Sequence, residues 1–156
     1  MMHDLAPVES CSEVAPGIFL LRCDSAAIAG GAEPGSFVNV LADQGRGPFL
    51  RRPFSISRVE GRNIEIVFNV VGLGTTLLSQ KRPGDIVDIL GALGSPFRFT
   101  EGFQTAILVA GGLGVAPFPF LTDRLRKLEK SRITFLGART AGQVLENHLD
   151  HVEVAT

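Results

Sequence analysis

The sequence predicts a small antiparallel β-barrel followed by a partial α/β lobe. Two observations predict the barrel: five or six strand patterns follow one another closely up to residue 90, and turn signals separate them. A third observation predicts the change after about residue 100, where a continuous apolar run at 106–110 precedes a helical repeat. We therefore expect two units, residues 1–100 as the barrel and residues 101–156 as the first half of an α/β domain.

The predicted elements of the first unit are divided by Gly, Pro and Asn turns. The predicted strands cover residues 9–23 with a turn at 14–17, then 36–41, 49–58, 64–71 and 85–90. Residues 26–31 and 43–48 are expected to be loops, residues 60–63 a hairpin turn, and residues 76–81 a short helix that Pro83 stops.

The second unit is predicted as strand–helix–strand–helix–strand. The run at 106–110 is typical of a strand buried on both faces of a parallel sheet. Four apolar residues then recur at i, i+3, i+7 and i+10 and predict a helix: Phe118, Leu121, Leu125 and Leu128. Strands are expected at 133–137 and 152–155, and between them a second helix opens with the capping-box spacing of Thr140 and Gln143 and ends near 148–151.

Composition limits the classes of function. The net charge of −1 over 156 residues gives no electrostatic basis for binding nucleic acid. Cys11 and Cys23 match no disulfide framework or metal-ligand spacing, so we expect reduced thiols in a cytoplasmic protein without a signal peptide. Residues 105–122 carry no charge, but the glycines and prolines among them favour a strand, a turn and a helix over a membrane span.

Residues 51–57, with the sequence RRPFSIS, form the first candidate binding segment. In an extended segment Arg52 and Phe54 project from one side and Ser55 from the other. Arginine suits phosphate, because its planar fork donates hydrogen bonds in pairs, and phenylalanine offers a face to another ring. Pro53 fixes one backbone angle between them. The alternative is a basic loop corner that leads into a strand.

Two glycine-containing segments could complete such a site. At 71–76, with the sequence VGLGTT, a strand runs into a helix start that can bind phosphate, although an ordinary threonine-capped turn has the same pattern. Together with Arg52, this helix start would hold one pyrophosphate from two sides. At 111–117, the sequence GGLGVAP follows the first parallel strand and approximates a dinucleotide fingerprint; the alternative is a tight turn without a ligand.

No catalytic side chain or metal site is predicted. Ser55 and Ser57 have no evident base, and the three histidines are scattered along the chain.

The combination of these motifs resembles the ferredoxin–NAD(P)+ reductase superfamily. The segments PGSFV at 34–38 and LGALGSPF at 90–97 are most similar to the electron-transfer subunits of class 1B dihydroorotate dehydrogenases. The resemblance implies FAD on the barrel: Arg52 would face the pyrophosphate, Phe54 would lie against the flavin in place of a more usual tyrosine, and Ser55 would hydrogen-bond near flavin N5. It places the other FAD contacts at Pro53, Val67, Phe68, Asn69, Gly74 and Thr75, and the nicotinamide site at Gly111, Gly112, Gly114 and Pro117.

The implied function is electron transfer between NAD(P)(H), FAD and a dehydrogenase subunit that carries FMN, with dihydroorotate dehydrogenase as the expected partner. Alternatives are a flavin subunit of a hydrogenase or sulfide dehydrogenase, and a non-catalytic FAD-binding remnant. The family continues through further α/β structure to a four-cysteine [2Fe–2S] motif, whereas this sequence ends at Thr156 without those cysteines. We therefore expect a truncated chain whose open sheet edge a partner or a homodimer would cover.

Overall fold

The computed structural model describes residues 2–43, 45, 50–100 and 102–156. Its first part is a closed antiparallel barrel in the order β1-β2-β5-β4-β3-β6. The strands are β1 (Met2–Ala15), β2 (Ile18–Asp24), β3 (Phe37–Leu41), β4 (Arg52–Glu60), β5 (Asn63–Asn69) and β6 (Ile86–Leu93). Two short helices, α1 (Ala26–Ala29) and α2 (Leu73–Ser79), lie between them. The predicted fold class of the first unit is confirmed.

Closure of the barrel depends on β1, which is twice as long as its neighbour β2. Its residues Met2–Pro7 pair with β6, and Val8–Ala15 pair with β2. The sequence analysis expects the first strand only from residue 9, because the residues that pair with the earlier half lie 79 to 89 positions away along the chain. The long strand β1 thus pairs with both β2 and β6, which closes the barrel and leaves it without an open edge.

The barrel interior holds apolar side chains from every strand. Leu21, Ile56, Ile64 and Phe68 are at most 1% exposed. Burying a side chain of this size stabilises the fold by about 1.5–3 kcal/mol. Since β4 and β5 each contribute to this core, the outward-facing residues of these strands are held on a rigid wall.

The second part is a three-stranded parallel sheet in the order β7-β8-β9. Its elements are β7 (Thr105–Gly111), α3 (Phe118–Lys127), β8 (Ser131–Gly137) and β9 (Val152–Ala155), with 3₁₀ turns at Gly112–Val115 and Ala141–Gln143. The predicted first helix and all three strands are present. Leu121 and Leu125 of α3 pack in one cluster with Leu108 and Leu136 of the sheet.

The predicted second helix of this unit is wrong. Thr140 has an extended backbone, residues 141–143 make one 3₁₀ turn, and His148 adopts a left-handed φ of 63° that no right-handed helix contains. Val144 and Leu145 still pack against the apolar cluster, but they do so from a loop. Apolar spacing alone did not distinguish a helix face from an irregular segment that packs on a sheet.

The expected burial of the 106–110 strand on both faces is also wrong. Leu108 and Ala110 face α3 and are buried, whereas Ile107 and Val109 are 66% and 70% exposed. In the part of the chain that the structure describes, α3 is the only long helix packed on this sheet, and it covers one face. Within the same part, no helix is long and apolar enough to span a bilayer.

Smaller differences concern loops and boundaries. Residues 26–29 form the helix α1 where a loop is expected, because Ile28 buries its side chain in the barrel core. The helix α2 begins at Leu73, three residues earlier than predicted. Most of the loop expected at 43–48, and the first residue of the strand expected at 49–58, lie outside the described residues.

Candidate functional site

Arg52 and Gly74 meet at one end of the barrel. Arg52 opens β4 and Gly74 lies in the first turn of α2. The guanidinium covers the glycine so closely that a Cβ at Gly74 would stand 2.7 Å from both Cζ and Nε of Arg52. The arginine and the helix start that the sequence pairs in one site are therefore in contact.

The two neighbouring arginines have different roles. Arg51 donates to the carboxylate of Asp88 at 2.7 Å and to the backbone oxygen of Asp88 at 3.0 Å. Burial raises the pKa of Asp88, but hydrogen bonds from Arg51 and His3 outweigh this and hold the pKa below its ordinary value. Arg52 donates only to the backbone oxygen of Leu50, at 2.7 Å, and has no carboxylate partner among the described residues. Its positive charge is available to an anionic ligand.

Phe54 lies two residues beyond Arg52 on β4. Its ring is half-buried, and its centroid is 5.6 Å from that of Phe68, with the planes tilted by 57°. Phe68 in turn stacks with Phe19 at 6.0 Å. The ring of Phe54 is thus braced from inside the barrel while part of it remains accessible, as a stacking surface requires.

Ser55 and Pro53 flank Phe54. Ser55 is half-buried, pairs in register with Phe37 of β3, and its hydroxyl makes no hydrogen bond within the described residues. Pro53 is exposed and pairs with Asn39. The serine hydroxyl is therefore free to serve a ligand, whereas the proline shapes the strand.

The three predicted positions on β5 divide between the two faces of the strand. Phe68 is 1% exposed, so its ring belongs to the core and only its backbone could contact a ligand. Val67 and Asn69 alternate with it and are half-buried. The outer wall at this end of β5 is consequently formed by Val67 and Asn69.

Thr75 has a structural role in the helix start. Its Oγ1 accepts hydrogen bonds from the N–H groups of Val71 and Gly72, at 2.9 and 3.2 Å, and donates to the carbonyl of Gly72 at 2.9 Å. The side chain is 6% exposed. This hydroxyl shapes the turn from the inside, so any contact from Thr75 to a phosphate would come from its backbone N–H.

The glycine segment at 111–117 faces the barrel. Gly111 ends β7, Gly112 opens the 3₁₀ turn with a φ of 52°, and Pro117 immediately precedes α3. The glycines at 111, 112 and 114 are exposed. Val115 and Ala116 share the lining of a cavity of about 30 Å³ with Val67 of β5. The two parts of the chain therefore meet where β5 and this turn approach each other.

Contacts link the predicted site residues, and some of these contacts pass through the barrel core. Gly74 contacts Arg52. Phe54 follows Arg52 on β4 and contacts Phe68 of β5. Val67, which precedes Phe68, lines a cavity together with the glycine turn of the second part. The contact between the Arg52 guanidinium and Gly74 brings a cation to the start of a helix, a combination whose chemistry suits a phosphate.

Three exposed apolar residues beside this surface were missed by the sequence analysis. Leu50, Val71 and Leu73 are 78%, 81% and 60% exposed, and they lie within three positions of Arg52 or Gly74. The sequence carried no signal for their exposure, because Leu50 and Val71 fall in predicted strands and Leu73 stands between two glycines.

Comparison with curated proteins identifies relatives. The chain is 39% identical over 135 residues to a dihydroorotate dehydrogenase B (NAD(+)) electron transfer subunit from Desulforamulus reducens. The aligned region covers 85% of this chain and 51% of the relative. It is 36% identical over 141 residues to the subunit of the same name from Bacillus velezensis, covering 88% and 55%. The chain spans about half the length of the curated relatives it matches.

Solved structures share the fold. An NADH-dependent reduced ferredoxin–NADP oxidoreductase is 27% identical with a TM-score of 0.84, over 97% of this chain and 56% of that chain. Phthalate dioxygenase reductase superposes with a TM-score of 0.76 at 19% identity, over 99% and 51%.

No protein-family model matches the sequence. The order of the strands, the contact between Arg52 and Gly74, and the similarity to these proteins agree with one another. The chain has the fold of the ferredoxin–NAD(P)+ reductases and is similar, over about half of their length, to the dihydroorotate dehydrogenase B electron transfer subunits.

Proposed function

We propose that the chain binds FAD on the barrel, with the diphosphate at Arg52 and Gly74 and the flavin at Phe54 and Ser55. The observation that carries this proposal is the Arg52 guanidinium, which lies on the start of α2 without a carboxylate partner among the described residues. A diphosphate would supply the missing negative charge, and arginine binds it by paired hydrogen bonds.

Each segment has a separate task in this site. Arg52 and the backbone of Gly74 and Thr75 hold the diphosphate, and Phe54 offers a ring braced by Phe68 to the flavin. The hydroxyl of Ser55 hydrogen-bonds near N5.

The nicotinamide nucleotide is assigned to the second part of the chain. The exposed backbone at Gly111, Gly112 and Gly114 leaves room for a nucleotide, and Pro117 fixes the start of α3 behind it. FAD, when bound, supplies two-electron exchange with nicotinamide and single-electron steps towards an acceptor. The protein side chains position and stabilise the cofactors, so no catalytic acid or base is assigned.

The role supported best is that of an electron-transfer subunit for a dehydrogenase. The name of the relatives, dihydroorotate dehydrogenase B (NAD(+)) electron transfer subunit, supports a dihydroorotate dehydrogenase as the partner and a place in pyrimidine biosynthesis. An FMN cofactor in that partner is part of the proposal. Cys11 and Cys23 are both free, in agreement with a cytoplasmic setting. Because the chain has only two cysteines, a four-cysteine [2Fe–2S] cluster is not assigned to it.

An FAD titration tests the binding step. The chain has no Trp and no Tyr, so flavin fluorescence is measured without an aromatic protein background. Arg52→Gln is expected to weaken FAD binding at least about tenfold, which corresponds to roughly 1.4 kcal/mol. Arg82→Gln is the matched control, since Arg82 is exposed and lies outside the site. Equal affinity in both variants, or a wild-type chain that stays colourless with FAD, would refute the proposal.

Anaerobic addition of NADH tests the second step. Bleaching of the visible flavin band, followed by reoxidation with an artificial one-electron acceptor, is expected for an electron-transfer subunit. A chain that binds FAD but is not bleached by NADH or NADPH would instead be the non-catalytic FAD-binding remnant.

A further inference from the structure

A second cleft lies where the barrel, the segment that links the two parts of the chain, and α3 meet. Its volume is about 1,040 Å³, and it is lined by the β4–β5 turn, by residues 96–99 of the linker, by residues 32–34 and by α3. None of the predicted FAD or nicotinamide residues lines it. We call it the junction cleft.

The carboxylates of the junction cleft are mostly neutralised. Asp123 accepts hydrogen bonds from Arg58 at 3.0 Å and from Arg126 at 2.8 Å. Glu60 pairs with Arg22 at 2.7 Å, and the hydrogen bond from Arg22 lowers the pKa of Glu60. Glu33 also lines the cleft, is exposed and forms no ion pair among the described residues, so one carboxylate remains to offset the other cations.

Three cations of the cleft have no such partner. Arg98 on the linker and Arg124 and Lys127 on α3 are exposed, and none of them forms an ion pair within the described residues. The chain as a whole has a net charge of −1, so this positive charge is a local feature. Such a surface attracts carboxylates and repels other cations.

Aromatic side chains stand among these cations. Phe97 and Phe99 are 42% and 43% exposed, and Phe120 of α3 lines the same cleft. The linker is held in place: the N–H of Phe97 donates to the carbonyl of Pro34 at 2.8 Å, and Phe99 packs edge-on against Phe103 at 5.4 Å. The aromatic surface is therefore preformed.

We propose that the junction cleft is a docking groove for an acidic segment of a partner polypeptide that also carries apolar side chains. Arg98 lies on the linker, Arg124 and Lys127 lie on α3, and three phenylalanines line the same cleft. An extended acidic peptide with apolar side chains matches both features, because its carboxylates can pair with the cations of both elements. The inference rests on the proposed function in one respect: the partner is then the dehydrogenase subunit.

A defined peptide tests the groove. The probe is a fluorescein-labelled peptide of glutamates with two phenylalanines, and its sister peptide has lysine in place of every glutamate. The FAD-loaded wild-type chain is expected to bind the acidic probe, with an affinity that falls as salt rises, and to bind the basic peptide at least about tenfold more weakly.

Charge reversal locates the binding. The variant R98E/R124E/K127E is expected to lose at least about tenfold in affinity for the acidic probe. The control K81E/R82E/R139E changes the net charge equally away from the cleft and is expected to bind as the wild type does. Equal loss in both variants, or displacement of the probe by micromolar inorganic pyrophosphate, would overturn the proposal.

The same samples separate this inference from the proposed function. FAD affinity, measured by flavin fluorescence, should be unchanged in R98E/R124E/K127E. A chain that binds FAD but ignores the acidic probe refutes the docking groove alone. A chain that binds the probe at the cleft but fails to bind FAD refutes the proposed function alone.

Discussion

Gly74 has no room for a side chain, because the Arg52 guanidinium occupies the space that a Cβ would take. An added Cβ would lie 2.7 Å from two atoms of Arg52. Gly74→Ala is therefore expected to displace the guanidinium and to weaken FAD binding about tenfold or more, with a smaller effect on stability because the arginine side chain can move. Gly31→Ala is the control, since its Cβ would meet nothing closer than 4.0 Å. Fluorescence titration of both variants measures the effect, and unchanged affinity in Gly74→Ala would contradict it.

Arg51, one residue before Arg52, is expected to act on stability instead. Arg51→Gln removes a charged partner from Asp88, whose side chain is 9% exposed. Loss of a charged hydrogen bond at a buried group costs about 1–3 kcal/mol. Chemical unfolding followed by circular dichroism measures the loss, and FAD affinity should change less than twofold. An FAD defect as large as that of Arg52→Gln would show that Arg51 also belongs to the site.

At the scale of elements, β7 is buried on one face only. Leu108→Ala is expected to destabilise the chain by about 2–4 kcal/mol, because Leu108 packs with Leu121 and Leu125 and its removal leaves a cavity. Val109→Ala, next in sequence but 70% exposed, should cost under about 0.5 kcal/mol. Urea unfolding of the two variants makes the comparison. Similar losses would mean that both faces of the strand are covered in solution.

The loop before β9 shows why its predicted helix does not form. Arg126 of α3 and Arg132 of β8 both donate to Asp150, so the loop is held where these two elements meet. His148, two residues earlier, has a left-handed backbone. An ion pair with residues about twenty positions away outweighs a local helical pattern, which is worth only fractions of a kcal/mol per residue.

At the scale of the whole molecule, Asp150 contributes to acid stability. Hydrogen bonds from Arg126 and Arg132 lower the pKa of Asp150 to about 2, although burial of the carboxyl group acts in the opposite direction. Because the folded pKa lies below the unfolded one, this stabilisation is present above about pH 4 and is lost as pH falls towards 2. Asp150→Asn should therefore cost about 1–2 kcal/mol at neutral pH and much less near pH 2. Thermal unfolding of the wild type and of Asp150→Asn across this pH range measures the difference in stability. A difference that does not change with pH would contradict the low pKa of Asp150.

Much of the barrel could be predicted because its information is local. Turn residues such as Pro16, Gly17 and Gly61 separate strands whose apolar residues alternate or run together. What the sequence could not show was the pairing of Met2–Pro7 with β6. Strand pairing between distant segments leaves no periodic signal in either one.

The site divides in the same way. Residue type and order indicated that Arg52, Phe54 and the glycine segments suit a nucleotide, because a guanidinium can bind phosphate, an aromatic ring can stack on another ring, and glycine lets a ligand approach the backbone. Only the tertiary structure decided that Arg51 pairs with Asp88 while Arg52 has no carboxylate partner among the described residues, and that the Thr75 hydroxyl forms its hydrogen bonds within its own turn. It also decided that Arg98, Arg124 and Lys127, which form no ion pair in the part of the chain that the structure describes, line one cleft. These outcomes depend on which partners the fold brings within hydrogen-bond distance, and that distance is fixed by packing between residues far apart in the chain.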